Sequence, residues 1–218
     1  MSYALALVDF DGTLADSMPY WLSLPKDALR EAGIPEPEGF DAYIRSVPMH
    51  EIAADMAKKY PAVEAECPFL QRFDAQMREH YAVHVPLKPG ADGLLRLLHR
   101  ANIRICILSA TRHELLDAVA ERLGVTALAD GIYTEAEVGS KRTEAPYAYF
   151  RDKFGVPYGK MLLIEDAPRN LAAAQTLGLT TVGVFDESMK HENAAVRAAS
   201  RIYLPDFSDL TALEELLH

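Results

Sequence analysis

Short runs of consecutive apolar residues alternate along this chain with longer stretches in which apolar positions return every three or four residues. Ala4–Val8 is wholly apolar, and Ile103–Leu108, Met161–Ile164 and Thr180–Val184 are short apolar or β-branched runs bounded by polar or turn-forming residues. Such runs predict buried strands, with weaker ones at Ile132–Thr134 and Arg201–Leu204. Helical spacing marks Ala91–Arg100, Glu114–Leu123, Glu144–Phe154, Asn170–Leu177, a segment near Asn193–Ala199, and Leu210–Leu217. Gly124, Gly155 and Gly178 follow three of these stretches, where a left-handed residue ends a helix. Strands alternating with helices, and apolar throughout, predict an α/β fold with a doubly wound parallel sheet covered on both faces.

Between Met18 and Val85 the pattern is different. Tyr20–Ala32, Phe40–Val47, Met49–Lys59 and Ala62–His84 all read as helices, punctuated by Pro35, Pro37, Pro48 and Pro61, and no β-branched alternation interrupts them. This predicts a helical cap inserted after the first strand. Residues 17–86 form the cap, and residues 1–16 with 87–218 form the α/β core.

Composition narrows the class of protein. The formal net charge of −10 argues against a nucleic-acid or anionic-membrane surface, although a small phosphorylated ligand needs only a local positive patch. The two cysteines, Cys67 and Cys106, are far apart and lack metal-ligand spacing, so a reducing cytoplasm fits better than a disulfide framework. No window approaches the length of a membrane span, and oligomeric state leaves no signal.

The candidate chemistry gathers just past the strand ends. Asp9 and Asp11 follow the first strand, Ser109 and Thr111 the strand from Ile103, and Glu165 with Asp166 the strand from Met161. Lys141 and Arg142 lie beyond the weak strand. In a parallel sheet these ends share one edge, where ligands bind. Four acids there, Asp9, Asp11, Glu165 and Asp166, form a hard oxygen set suited to Mg²⁺ together with substrate phosphate. Each residue also has a plainer reading. Taken in isolation Ser109 reads as a helix N-cap, Lys141 as a solvated charge with Arg142 in its place, Asn170 as a helix-start residue, and Trp21 as cap core. His50, His80 and His84 lack ligand spacing and are expected on the cap surface.

Taken in order, these residues resemble the haloacid dehalogenase-like hydrolase superfamily, in the branch with a helical cap that includes phosphoglycolate phosphatases and β-phosphoglucomutases. Asp9-Phe10-Asp11-Gly12-Thr13-Leu14 is similar to the nucleophile motif, Ser109 to the phosphate-binding hydroxyl, Lys141 to the lysine, and Glu165-Asp166 to the acidic metal motif. The twenty-five-residue step from Lys141 to Asp166 agrees with the family. The resemblance implies Asp9 as nucleophile, forming an aspartyl-phosphate, and Asp11 as general acid and then base. It implies Mg²⁺ held by Asp9, Asp166 and the Asp11 carbonyl, with Glu165 acting through water. Ser109, Lys141 and the amides of Gly12, Thr13 and Ala110 would hold the phosphoryl oxygens. The implied activity is a cytoplasmic, Mg²⁺-dependent phosphatase of a small phosphorylated metabolite, whose mobile cap excludes water. The alternatives are a sugar-phosphate mutase and a non-catalytic phosphate-sensing or partner-binding protein.

Departures from the pattern bear on that choice. Asp11 argues against dehalogenases and phosphonatases, which lack an acid there. In the stretch Arg45-Ser46-Val47-Pro48-Met49-His50, Ser46 and Met49 stand where mutase-like members carry Gly and Arg, with Arg45 as a substitute. Lys141 is followed by Arg142 rather than the usual proline. Arg45, Trp21 and His50 are the cap's candidate substrate contacts.

Overall fold

Residues 3–47, 49–64 and 68–217 are described by the computed structural model; Cys67 and the side chains of Ser46 and His50 lie outside the described set. The chain divides into two units, one comprising Met1–Asp16 with Pro86–His218 and the other Ser17–Val85.

The larger unit is built on a six-stranded, wholly parallel sheet. Its strands are β1 (Leu5–Val8), β2 (Arg104–Ser109), β3 (Gly131–Thr134), β4 (Met161–Glu165), β5 (Thr180–Val184) and β6 (Ile202–Leu204). They lie in the order β3-β2-β1-β4-β5-β6, so the direction of winding reverses at β1. That reversal opens a crevice at the carboxyl ends of the central strands. Every residue of β1 and β4 is buried, as expected of continuous apolar runs covered on both faces. Edge strand β3 is only half-buried over its first three residues, which is why its signal is weak.

The smaller unit holds α1 (Met18–Glu31), α2 (Phe40–Ser46), α3 (Met49–Lys59) and α4 (Phe69–Glu79). The single helix expected over Ala62–His84 is corrected to three pieces: a 3₁₀ turn at Pro61–Glu64, α4, and a π-type turn at His80–His84. Pro68 stands just before α4 and has no N–H to carry a helix through. At the other end, Val85 N–H reaches back five residues to the His80 carbonyl. Inside this unit Trp21 is half-buried and packed inward: its Nε1–H donates to Tyr81 Oη at 2.8 Å and its ring lies 5.4 Å from that of Phe73. His80 is half-buried against the Tyr20 ring rather than exposed, a second correction.

The remaining helices belong to the larger unit: α5 (Ala91–Arg100), α6 (His113–Arg122), α7 (Glu135–Val138), α8 (Ala145–Phe154), α9 (Pro168–Thr176), α10 (Asn193–Ala198) and α11 (Thr211–Leu217). The sheet face carrying Leu5, Leu7, Cys106, Leu108, Met161 and Leu163 packs against Tyr147 and Phe150 of α8. The short α7 has no apolar periodicity to announce it; a capping box of Thr134 and Glu137 nucleates it. Among the described residues, no helix is long and apolar enough to cross a membrane.

Candidate active site

Strand register assembles the site. Val8 pairs with Ile107 of β2 and Ile164 of β4, so one step further Asp9 stands between Leu108 and Glu165. The Asp9 N–H continues the ladder to the Ile164 carbonyl at 2.9 Å. The chain then turns through Gly12, whose φ of 83° is a left-handed value that side-chain-bearing residues avoid. Gly12 N–H donates to the Ala15 carbonyl at 3.0 Å, so this amide is spent on the turn rather than offered to a phosphate. That corrects the expectation for the Gly12 amide.

Among the described residues, Asp9, Glu165 and Asp166 form a group of carboxylates whose ligand oxygens all lie within 4.8 Å of one another. All three are buried. Lys141, only 3% exposed, enters among them, which excludes its reading as a solvated charge. Its ammonium pairs with Asp9 and lies 2.8 Å from Glu165 Oε2 and 3.3 Å from the Leu108 carbonyl. All three ammonium donors therefore have protein acceptors. Arg142 is exposed.

The acids are not equivalent. Glu165 Oε1 accepts the Asp166 and Ala167 amides at 3.2 and 3.1 Å, while Oε2 accepts Asn170 Nδ2 at 3.1 Å and Lys141. Those four donors fill the acceptor sites of a carboxylate. Burial works against Glu165 ionising, but Lys141 and these donors outweigh it and hold its pKa below the ordinary value. Asp9 is pushed up to about 7, first by burial and then by Glu165, against the opposing pull of Lys141. Burial, Glu165 and Asp9 raise Asp166 well above the ordinary range. Burial would depress Lys141, but Asp9 and Glu165 keep it raised.

Asp11 stands apart from this cluster, half-buried, and accepts from Ser109 Oγ at 3.2 Å. Ser109 also accepts the Thr111 N–H at 2.9 Å, whereas the N-cap of α6 is Arg112, so Ser109 is not that helix's cap. Ala110 is exposed beside it. Arg45 lies in the smaller unit, where Asp41 Oδ2 accepts from its Nε at 2.7 Å.

Several contributors escape a reading of the chain by motif. Thr13 was expected to act through its amide, yet its hydroxyl donates to Asp166 Oδ1 at 3.4 Å. Lys141 is anchored through its main chain, its N–H on Glu135 Oε1 at 2.8 Å and its carbonyl under Tyr147 Oη at 2.7 Å. Asp186, buried two residues past β5, pairs with Lys88 at 2.7 Å. The rule of polar residues past strand ends, extended to β5, would have found it.

Comparison with known proteins agrees with this geometry. The sequence model described as "Hydrolase: haloacid dehalogenase-like hydrolase" matches residues 3–178. The phosphoglycolate phosphatase of Chromobacterium violaceum is 25% identical over 207 residues, covering 89% of this chain and 92% of its own. That of Synechococcus elongatus is 27% identical over 179 residues, covering 82% of each. A Thermotoga maritima structure, provisionally named a β-phosphoglucomutase, superposes with a TM-score of 0.81 at 20% identity, covering 98% of this chain and 100% of its own, and shows the shared fold.

Proposed function

Because the chain belongs to the haloacid dehalogenase-like hydrolases, we propose that it is a divalent-cation-dependent phosphomonoesterase acting on a small phosphorylated metabolite. The observation that carries this reading is the buried group of Asp9, Glu165 and Asp166 with Lys141 inside it. Fully ionised, three carboxylates against one ammonium would leave two negative charges in a desolvated place, the complement of one divalent cation. The pKa directions sort the ligands. Glu165 is compensated by protein donors, whereas Asp9 and Asp166 are the two carboxyls left raised.

Asp9 and Asp166 would thus hold Mg²⁺ directly, with the main-chain carbonyl of Asp11, while Glu165 orients Lys141 and the surrounding amides. Held there, the cation would neutralise charge, so that an anionic carboxylate and an anionic phosphate could approach each other. Asp9 attacks phosphorus, an aspartyl-phosphate forms and the ester oxygen leaves, taking a proton from Asp11. Asp11 then removes a proton from the water that cleaves the aspartyl-phosphate, which restores Asp9 and releases phosphate. Asp11 is suited to this by standing outside the Lys141 cluster, half-buried beside the Ser109 hydroxyl. Ser109 and Lys141 would hold the phosphoryl oxygens, each exchanging a present protein partner for substrate.

The names of the two curated relatives make phosphoglycolate the first substrate to try. Phosphate release is measured from it, from sugar phosphates and from nucleotides, with Mg²⁺ and with a chelator, for the wild type and Asp9→Asn. Turnover requiring Mg²⁺ and lowered on the order of a thousand-fold by Asp9→Asn is expected. Turnover undiminished in Asp9→Asn removes the nucleophile assignment, and sugar-phosphate isomerisation without phosphate release removes the phosphatase reading.

A further inference from the structure

His113 opens α6 four residues after Ser109, and each nitrogen of its ring faces a carboxylate. Nδ1 lies 2.8 Å from Asp117 Oδ1, and Nε2 lies 2.9 Å from Glu137 Oε2. An imidazole between two ionised carboxylates satisfies both only when both nitrogens carry protons. Glu137 is not a passive partner. The same Oε2 accepts from Thr134 N–H at 2.9 Å and Thr134 Oγ1 at 3.1 Å, closing the capping box that starts α7.

The short α7 in turn leads to Lys141. Its first residue, Glu135, accepts the Lys141 N–H. Gly139, between them, has φ 99°, and a Cβ there would stand 2.7 Å from Ala145 Cβ, so the path of the chain has little freedom. One continuous chain of bonds therefore runs from the loop after Ser109, through His113, Glu137 and Glu135, to the backbone of Lys141.

We propose that His113, as an imidazolium, is a positioning residue that ties the start of α6 to α7 and so fixes Ser109 relative to Lys141 for phosphate binding. The inference rests on the phosphate roles given to those two residues above. Asp117 from its own helix and then Glu137 from α7 raise the pKa of His113, against partial burial that lowers it; among the described residues, these are the two carboxylates bonded to the ring. The tie is therefore present below that raised pKa and is lost as pH rises through it.

The test uses the Mg²⁺-loaded, full-length enzyme. Inhibition by inorganic phosphate, together with kcat and KM for a phosphomonoester it cleaves, is followed from about pH 6 to about pH 9, a span that brackets a raised histidine. Wild type, His113→Gln and His113→Lys are compared, with unfolding midpoints at each pH as a control for stability. The ratio of variant to wild type removes the substrate's own ionisation. At the acid end His113→Gln binds inorganic phosphate about five-fold more weakly, the equivalent of about 1 kcal/mol for a partly exposed pair of charges. At the alkaline end the two converge, and kcat changes less than KM throughout. His113→Lys, charged across the range, keeps the acid-end affinity to higher pH than wild type does. A ratio that is the same at every pH, in an enzyme that cleaves phosphomonoesters, overturns the tie and leaves the site reading standing. An enzyme that neither cleaves phosphomonoesters nor binds phosphate overturns both.

Discussion

In the larger unit Lys141 meets Asp9 and Glu165 with side chains no more than 5% exposed. In the smaller unit Lys59 meets Asp55 and Arg45 meets Asp41 on side chains 21% to 57% exposed. The chemical pairing is alike, and burial makes the two cases different. A surface pair gains little because water already solvates both partners. A buried set pays for desolvation and survives only if hydrogen bonds and counter-charge are nearly complete. Lys141 spends every donor, and Glu165 every acceptor, to stay ionised where they are. A fold seeking stability alone would place packed apolar side chains there, so the cluster at the ends of β1 and β4 is the candidate site proposed above.

Breaking the buried member of this comparison has the largest effect. Lys141→Met leaves Asp9 and Glu165 without their cation, at an expected cost of about 3–5 kcal/mol. Urea unfolding measures that cost, and phosphate release disappears in the same variant. Lys59→Met, the surface counterpart, leaves the urea midpoint unchanged. Equal shifts for the two variants would remove the contrast.

Adding a divalent cation tests the same burial from the other direction. The pKa of Asp9, about 7, and that of Asp166 both lie above the ordinary carboxylate value. A folded carboxyl whose pKa is raised binds protons more tightly than the unfolded chain does. Without metal, stability therefore falls as pH rises from the unfolded value of about 4 towards the folded one. Mg²⁺ held by these carboxylates would compete with those protons. At a hundred times its dissociation constant it should stabilise the fold by about 2.7 kcal/mol, and the rise in Tm should be larger near pH 8 than near pH 5.5. An equal rise at both pH values would place the cation elsewhere. Asn170→Ala follows, removing one neutral donor from ionised Glu165 at about 2 kcal/mol by urea unfolding.

The same contrast decides what could be read from the sequence. Ala4–Val8 and Met161–Ile164 were legible because a strand covered on both faces must be apolar at every position, and their observed limits differ from the expected ones by a single residue. Asp9, Asp11, Ser109, Glu165 and Asp166 were legible because a polar residue directly after such a run has only the sheet edge to occupy. The bonding of Lys141 was not, since its partner Asp9 lies 132 residues away and its anchors, Glu135 and Tyr147, look like ordinary helix residues. Nor was the division of the helix expected over Ala62–His84. Apolar spacing is much the same whether an N–H reaches back four residues or five, so the π-type turn ending at His84 leaves little trace in the pattern.

Arg45 supplies the smallest and finest test, because its place in the sequence and its bonding favour different duties. Sequence order makes it a candidate substrate contact, whereas in the structure Asp41 accepts from its Nε at 2.7 Å. Arg45, and then Lys26, hold Asp41 down to about 2. Such a pair joins residues four apart on one short helix and is only partly shielded from water, so Arg45→Ala should shift the unfolding free energy by less than about 0.5 kcal/mol. Substrate kinetics then separate the two duties, because a group that binds substrate and transition state equally moves KM and leaves kcat alone. A KM raised several-fold at constant kcat makes the guanidinium a substrate contact that exchanges Asp41 for a ligand anion. An unchanged KM leaves it a surface partner of Asp41, with the same standing as Lys59 beside Asp55.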